Sequence, residues 1–169
     1  TDDIWEAGTT TLIGCLLLEL DDDRSESRFG FLCASVGDCK AFLWRRAKNI
    51  VIDVTKGNRL SQRDKCDPGG RLGPYLEGGT PDLRNLALHY VSCDPGDLIL
   101  VMSDGIHDNL DPEQLGVPPA GVKPGLPGIS VDDSTTWQDL TKQQVASLKI
   151  AYREGFIMNL INEGITSPT

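Results

Sequence analysis

The sequence predicts an α+β fold in which antiparallel strands come first and one strong helix comes late. Short runs rich in Leu, Val, Ile and Phe follow one another through the first two thirds of the chain. Turns with glycine or proline separate these runs, and the last third carries an apolar pattern with helical spacing. Strands clustered before a helix favour an antiparallel α+β domain over an alternating βαβ fold.

The composition is typical of one globular domain spanning 1–169, with 39% hydrophobic and 24% charged residues. The net charge of −9 disfavours nucleic acid as a partner, because phosphate backbones repel an acidic surface. The five cysteines form no CxxC pair, which argues against a zinc site and predicts a reducing compartment. No secretory signal is recognisable and the apolar runs are too short to span a bilayer. We therefore expect an intracellular, cytoplasmic protein with no membrane partner.

The strands are predicted from aliphatic and β-branched runs bounded by turn residues. We expect them at 12–20, 29–36, 40–44, 50–54, 86–92 and 98–102. The polar residues 21–25 are interpreted as a solvated loop between the first two strands. Gly37-Asp38 is a glycine-first pair typical of a type II′ hairpin. Pro95-Gly96 fits the centre of a type II turn, where glycine supplies the positive φ angle.

Three connecting segments are less regular. Residues 56–83 are rich in Gly, Pro, Asp and Arg and too long for an ordinary turn, which predicts a functional loop or flap. Asp111-Pro112 places proline where a short helix could begin. Residues 117–137 are rich in Pro, Gly and Ser and are interpreted as an exposed insertion or linker.

The strongest helix signal covers 141–163. Thr141 and Gln144 form a capping box at its start, and Gly164 is interpreted as its stop. Apolar residues then recur along one face at helical spacing. These are Val145, Leu148, Tyr152 and Phe156. The helix is expected to cover a sheet.

Three aspartates stand at positions that suit a metal site. Asp38 follows a glycine at a tight turn, and Asp104 ends an apolar strand and precedes Gly105. Asp108 lies four residues after Asp104, so one helical turn would bring both to the same face. Two carboxylates about 5 Å apart repel each other by roughly 3 kcal/mol, which a divalent cation reverses. Oxygen ligands favour Mg²⁺ or Mn²⁺.

Structural roles for the same residues remain open at this level. Asp104 could be a helix N-cap behind Ser103, and Asp38 could only satisfy a turn. Spacing alone does not decide between these roles and a metal site. His107 is interpreted as a cleft-rim or packing residue and His89 as a structural residue of a strand, because neighbouring side chains in a turn diverge.

The order of three motifs favours a metal site over purely structural roles for these aspartates. GTTT at 8–11, ASVGDCKA at 34–41 and SDGIHD at 103–108 resemble, in sequence and order, segments of the metal-dependent protein phosphatases of type 2C. The resemblance covers about residues 8–115. It implies an antiparallel β-sandwich flanked by helices, and it implies that the chain is the C-terminal portion of an incomplete domain.

The resemblance also implies a function. By position, Asp104 and Gly105 would belong to a binuclear Mg²⁺ or Mn²⁺ centre, while Asp38 and Asp108 would serve a weaker site beside it. The implied reaction is hydrolysis of phosphoserine or phosphothreonine in a phosphoprotein substrate by metal-activated water.

The family's early acidic and histidine-containing segments have no counterpart here. No catalytic residue is therefore assigned within the chain, and the rest of the phosphatase domain is an expected partner. The alternative is a noncatalytic pseudophosphatase or phosphoprotein-binding regulatory module.

Overall fold

The structure, a computed structural model, describes residues 8–21, 27–59, 67–122 and 126–166, with side chains described to residue 164. Within these ranges the strands precede the long helix, as the sequence predicts. The strands are β1 (Leu12–Glu19), β2 (Phe29–Val36), β3 (Lys40–Arg45), β4 (Ile50–Asp53), β5 (Arg71–Leu76), β6 (Thr80–Asp82), β7 (Ala87–Cys93) and β8 (Leu98–Met102). The helices are α1 (Asp104–His107) and α2 (Lys142–Thr166), with 3-10 helices at Asp108–Leu110 and Pro119–Gly121. The chain is thus a mixed α and β protein with antiparallel sheets.

The described strands form three antiparallel sheets. The first, called sheet A, has the order β1-β2-β7, and the second, called sheet B, has the order β4-β3-β8. Strands β5 and β6 form a separate hairpin. In sheet A Leu12 lies opposite Val36, and in sheet B Lys40 lies opposite Met102. Most of the predicted loop at 21–25 lies outside the described residues.

The expected hairpin at Gly37-Asp38 is wrong. Strand β2 pairs with β1 and β7, whereas β3 pairs with β4 and β8, so this turn carries the chain from sheet A into sheet B. Gly37 has a φ of 93°. A side chain at this position would meet Thr11 Cγ2 at 2.3 Å. The glycine correctly indicated a sharp turn, but the pairing of the strands was decided by tertiary contacts.

Three further expectations need correction. The segment predicted as one loop at 56–83 contains the β5–β6 hairpin, although residues 60–66 lie outside the described part. No helix starts at Asp111-Pro112, where the chain makes a turn in which Leu115 N–H donates to the Asp111 carbonyl at 3.0 Å. Helix α2 continues beyond Gly164 to Thr166. One glycine near a helix end weakens the helix without stopping it.

Apolar side chains from both main sheets share one core. Phe31 and Cys33 of β2 are buried with Leu43 of β3 and Cys93 of β7. On the other side of sheet B, Ile157 of α2 packs in a second core with Phe42, Trp44 and Val51. Helix α2 therefore covers sheet B, which agrees with the predicted role of the helix.

The start of α2 is built as the sequence predicts. Thr141 N–H donates to Gln144 Oε1 at 2.9 Å, and Gln144 N–H donates to Thr141 Oγ1 at 3.3 Å. Val145 and Leu148 are buried in a third core with Val122 and Trp137. The segment 117–137, predicted as an exposed insertion or linker, therefore contributes apolar side chains to a core instead of being exposed throughout. The capping box is thus confirmed, and so is the buried start of the apolar face, whereas Tyr152 and Phe156 further along it are only partly buried. In the part of the chain that the structure describes, we find no helix with the length and apolar character needed to cross a bilayer.

Candidate functional site

Asp38 lies at the turn that joins the two main sheets, and amide side chains hold this turn. Asn85 accepts the Gly37 N–H at 2.9 Å and donates to the Gly37 carbonyl at 2.8 Å. Asn58 donates to the Cys39 carbonyl at 2.6 Å. With its backbone hydrogen-bonded on both sides, the turn presents the Asp38 carboxylate from a fixed position.

Asp104 and Asp108 lie on consecutive helical turns after β8. Helix α1 begins at Asp104 and passes into the 3-10 helix at Asp108, so the predicted helical turn between them is confirmed. Ser103, rather than Asp104, is the N-cap residue. Asp104 is exposed, and its Oδ1 accepts the Gly105 N–H at 2.7 Å.

Arg59 links the other two aspartates. Its Nη2 donates to Asp38 Oδ2, its Nη1 donates to Asp108 Oδ1 at 2.9 Å, and its Nη2 lies 3.3 Å from Asp108 Oδ2. The side chains of Arg59 and Asp38 are 4% and 2% exposed, whereas that of Asp108 is 25% exposed. We call these three residues the site cluster. The guanidinium lies where the sequence predicted that a metal ion would meet both carboxylates.

The charges of the site cluster shift each other's protonation. Burial lowers the pKa of Arg59, but the carboxylates of Asp108 and Asp38 outweigh burial and raise the pKa above its ordinary value. Burial raises the pKa of Asp108, but the adjacent His107 and Arg59 side chains hold that pKa well below its ordinary value. Both members of this pair therefore stay charged at neutral pH.

His107 is buried at 1% exposure rather than placed at an open rim. Its Nδ1 lies 3.2 Å from Asp108 Oδ1. His89 is on β7, where its Nε2 lies 3.5 Å from Ser35 Oγ, and burial lowers the pKa of its ring. His107 is thus closed off from solvent, whereas His89 is partly exposed on sheet A.

The carboxylates of the site cluster, as arranged, do not fit a divalent cation. Among the described residues no group of three His, Cys, Asp or Glu side chains is placed to hold a metal ion. Asp38 and Asp108 are already paired with Arg59. The carboxylate of Asp104 is exposed and open to a cation, and a Cβ at Gly105 beside it would make one ordinary contact, with Ser103 Oγ at 3.8 Å. The arrangement thus separates one open carboxylate from two that share one arginine.

A second set of buried charges lies immediately after the site cluster. Asp111 accepts from Arg153 at 3.0 Å and lies 3.1 Å from Lys149, which also donates to Glu113 at 2.7 Å. These four residues are called the helix cluster. Because Lys149 and Arg153 belong to α2, the helix cluster anchors the Asp108–Leu110 turn to the helix that covers sheet B.

The sequence interpretation missed Arg59, Asn58 and Asn85. All three precede or follow glycine-rich segments with no recognisable motif. A weak signal was available for Arg59, since buried aspartates require a cation and this arginine follows strand β4 closely. Its partners stand 21 and 49 positions away, so the sequence could not show which carboxylates it meets.

Comparison with known proteins shows a similarity over part of the chain. No family model matches the chain. Over 105 residues, 61% of the chain, it is 32% identical to the PP2C-like domain-containing protein CG9801 of Drosophila melanogaster. The aligned region spans 14% of the length of that protein. The chain is therefore similar to a PP2C-like protein over a partial region.

Proposed function

We propose that the chain forms part of a PP2C-like protein phosphatase domain that hydrolyses phosphoserine and phosphothreonine in proteins. The observation that carries the proposal is Asp104, an exposed carboxylate that begins α1 directly after strand β8 and stands beside a glycine. The similarity to a PP2C-like protein supports it. In this proposal the two main sheets, which share a core, are the sandwich of the domain.

Asp104 would contact Mg²⁺ or Mn²⁺ together with ligands beyond the described residues. A divalent cation supplies charge stabilisation for phosphoryl transfer. Within this chain, Asp104 places an exposed carboxylate at the start of α1, and a Cβ at the neighbouring Gly105 would meet Ser103 Oγ at 3.8 Å. The helix cluster anchors the turn that follows. These residues provide position and charge, which are the main requirements of phosphoryl-transfer catalysis.

Hydrolysis of a phosphothreonine peptide by the full-length protein tests the proposal. Release of phosphate with Mn²⁺ is expected to fall by about 100-fold or more in Asp104→Asn, a loss comparable to removal of one electrostatic contact in other active sites. Asp133→Asn, an exposed aspartate outside the motifs, is the matched control. Equal activity in wild type and Asp104→Asn would overturn the role of Asp104.

A noncatalytic phosphoprotein-binding module is the second candidate. The pairing of Arg59 with Asp38 and Asp108 favours it, because two predicted metal ligands already have a cation. This candidate predicts that a phosphothreonine peptide binds the folded protein with no phosphate release at saturating Mn²⁺. Phosphate release that depends on Asp104 would exclude it.

A further inference from the structure

We infer that Arg59 is a built-in cation that takes the place of a metal ion between Asp38 and Asp108. The inference goes beyond the proposed phosphatase activity, and its test uses metal binding rather than turnover. It predicts that the site cluster binds no divalent ion in the native protein. It also predicts a latent cation site that appears when the charge of Arg59 is removed.

The geometry is that of a guanidinium fork on carboxylates. Arg59 uses Nη1 and Nη2 toward the two oxygens of Asp108, and Nη2 also donates to Asp38. Parallel N–H donors match a carboxylate in distance and plane. The guanidinium therefore satisfies three of the four carboxylate oxygens in the site cluster at once.

The fourth carboxylate oxygen, Asp38 Oδ1, is left without a partner. Asp38 is 1% exposed, and its Oδ1 is buried with no hydrogen-bond partner in the structure. One free oxygen is too few for Mg²⁺ or Mn²⁺, which take about six oxygen ligands. If the guanidinium were absent, all the carboxylate oxygens of Asp38 and Asp108 would become available.

A metal ion cannot simply join Arg59. Two unit charges about 4 Å apart repel by about 4 kcal/mol at an effective dielectric of about 20, and a divalent ion repels more strongly. Arg59 stays charged, because a guanidinium does not lose its proton in proteins. Metal binding would therefore have to expel a side chain that is 4% exposed and leave the cation without its two carboxylates.

Titration of the full-length protein with Mn²⁺, followed by electron paramagnetic resonance, tests the inference. All variants are made in an Asp104→Asn background, which removes the open carboxylate from the count. With Arg59 present, Asp38→Asn and Asp108→Asn are expected to change Mn²⁺ affinity by less than about twofold. Arg59→Gln is expected to add one bound Mn²⁺ per chain, and Arg59→Gln/Asp108→Asn to lose it. Arg59→Lys, which keeps the charge, is expected to add none.

The opposite results would overturn the inference. It fails if Asp38→Asn or Asp108→Asn lowers Mn²⁺ affinity by about tenfold or more while Arg59 is present. It also fails if folded Arg59→Gln gains no Mn²⁺. Circular dichroism reports whether each variant folds. If substitutions of the buried residues unfold the protein, Asp108→Asn decides the question, because its side chain is 25% exposed. Failure of the phosphatase proposal would appear instead as absent phosphate release in wild type, which this titration does not measure.

Discussion

Two clusters of buried charges stand at the two ends of one short turn, and they differ in balance. The site cluster meets the Asp108–Leu110 turn at its first residue, and the helix cluster meets the chain at Asp111, directly after it. The site cluster has two carboxylates and one guanidinium. The helix cluster has two carboxylates and two cations, both of them from α2.

The helix cluster has equal numbers of carboxylates and cations, whereas the site cluster has one carboxylate more than it has cations. In the helix cluster each carboxylate contacts a cation of α2 and each cation contacts a carboxylate, which favours a role in holding the helix. In the site cluster Asp38 Oδ1 has no hydrogen-bond partner in the structure. The helix cluster therefore holds the helix, whereas the site cluster keeps an unpaired carboxylate oxygen. The following substitutions test this distinction.

The largest effect is expected from Asp111→Ala. This change takes the carboxylate away from Arg153, which is 1% exposed, and from Lys149. Removal of one partner from a buried ion pair costs about 3–5 kcal/mol, because the remaining charge is not solvated. Urea unfolding would measure the loss, with Asp133→Ala as an exposed control. A loss under about 1 kcal/mol would contradict an anchoring role for the helix cluster.

A smaller loss is expected from Arg59→Met. It leaves Asp38 and Asp108 without their shared cation, but Asp108 is partly open to water. We expect a decrease of about 2–3 kcal/mol in the free energy of unfolding. Mn²⁺ should restore part of the stability of Arg59→Met and none of that of Asp111→Ala. Equal rescue of both variants in urea unfolding would remove the distinction between the clusters.

A still smaller decrease in the free energy of unfolding is expected when the pH is lowered. Asp108 has a folded-state pKa below its ordinary value of 3.8. It therefore contributes stability above about pH 4, and this contribution is lost as the pH falls toward its folded-state pKa. Asp108→Asn should make the free energy of unfolding depend less steeply on pH below about 4. Thermal denaturation of both proteins below about pH 4 would measure this dependence. An equally steep pH dependence in Asp108→Asn and wild type would contradict the pairing of Asp108 with Arg59.

The smallest effect on stability is expected from Asp104→Asn. Its carboxylate is exposed and accepts only a local backbone N–H. Such surface changes stay within about 0.5 kcal/mol. Thermal denaturation without metal would measure it. A loss of more than about 1 kcal/mol would mean that Asp104 supports the fold, which would place it with the helix cluster rather than at an open site.

The elements that the sequence predicted correctly depend on near neighbours. Strand β2 has its expected bounds, and the capping box of Thr141 and Gln144 starts α2. Both follow from patterns within a few residues, namely aliphatic content and reciprocal side-chain caps. The three motif aspartates were recognised in the same way, and their roles as metal ligands stay predictions.

The sequence by itself determined where six of the eight described strands and the long helix lie, where the chain turns sharply and which aspartates to test. Tertiary structure decided that Gly37-Asp38 connects two sheets instead of closing a hairpin. It also brought Arg59 to Asp38 and Asp108 and left Asp104 outside. The physical reason is range: turns and caps are set by adjacent residues, whereas strand partners and the cation that neutralises a buried carboxylate come from distant parts of the chain.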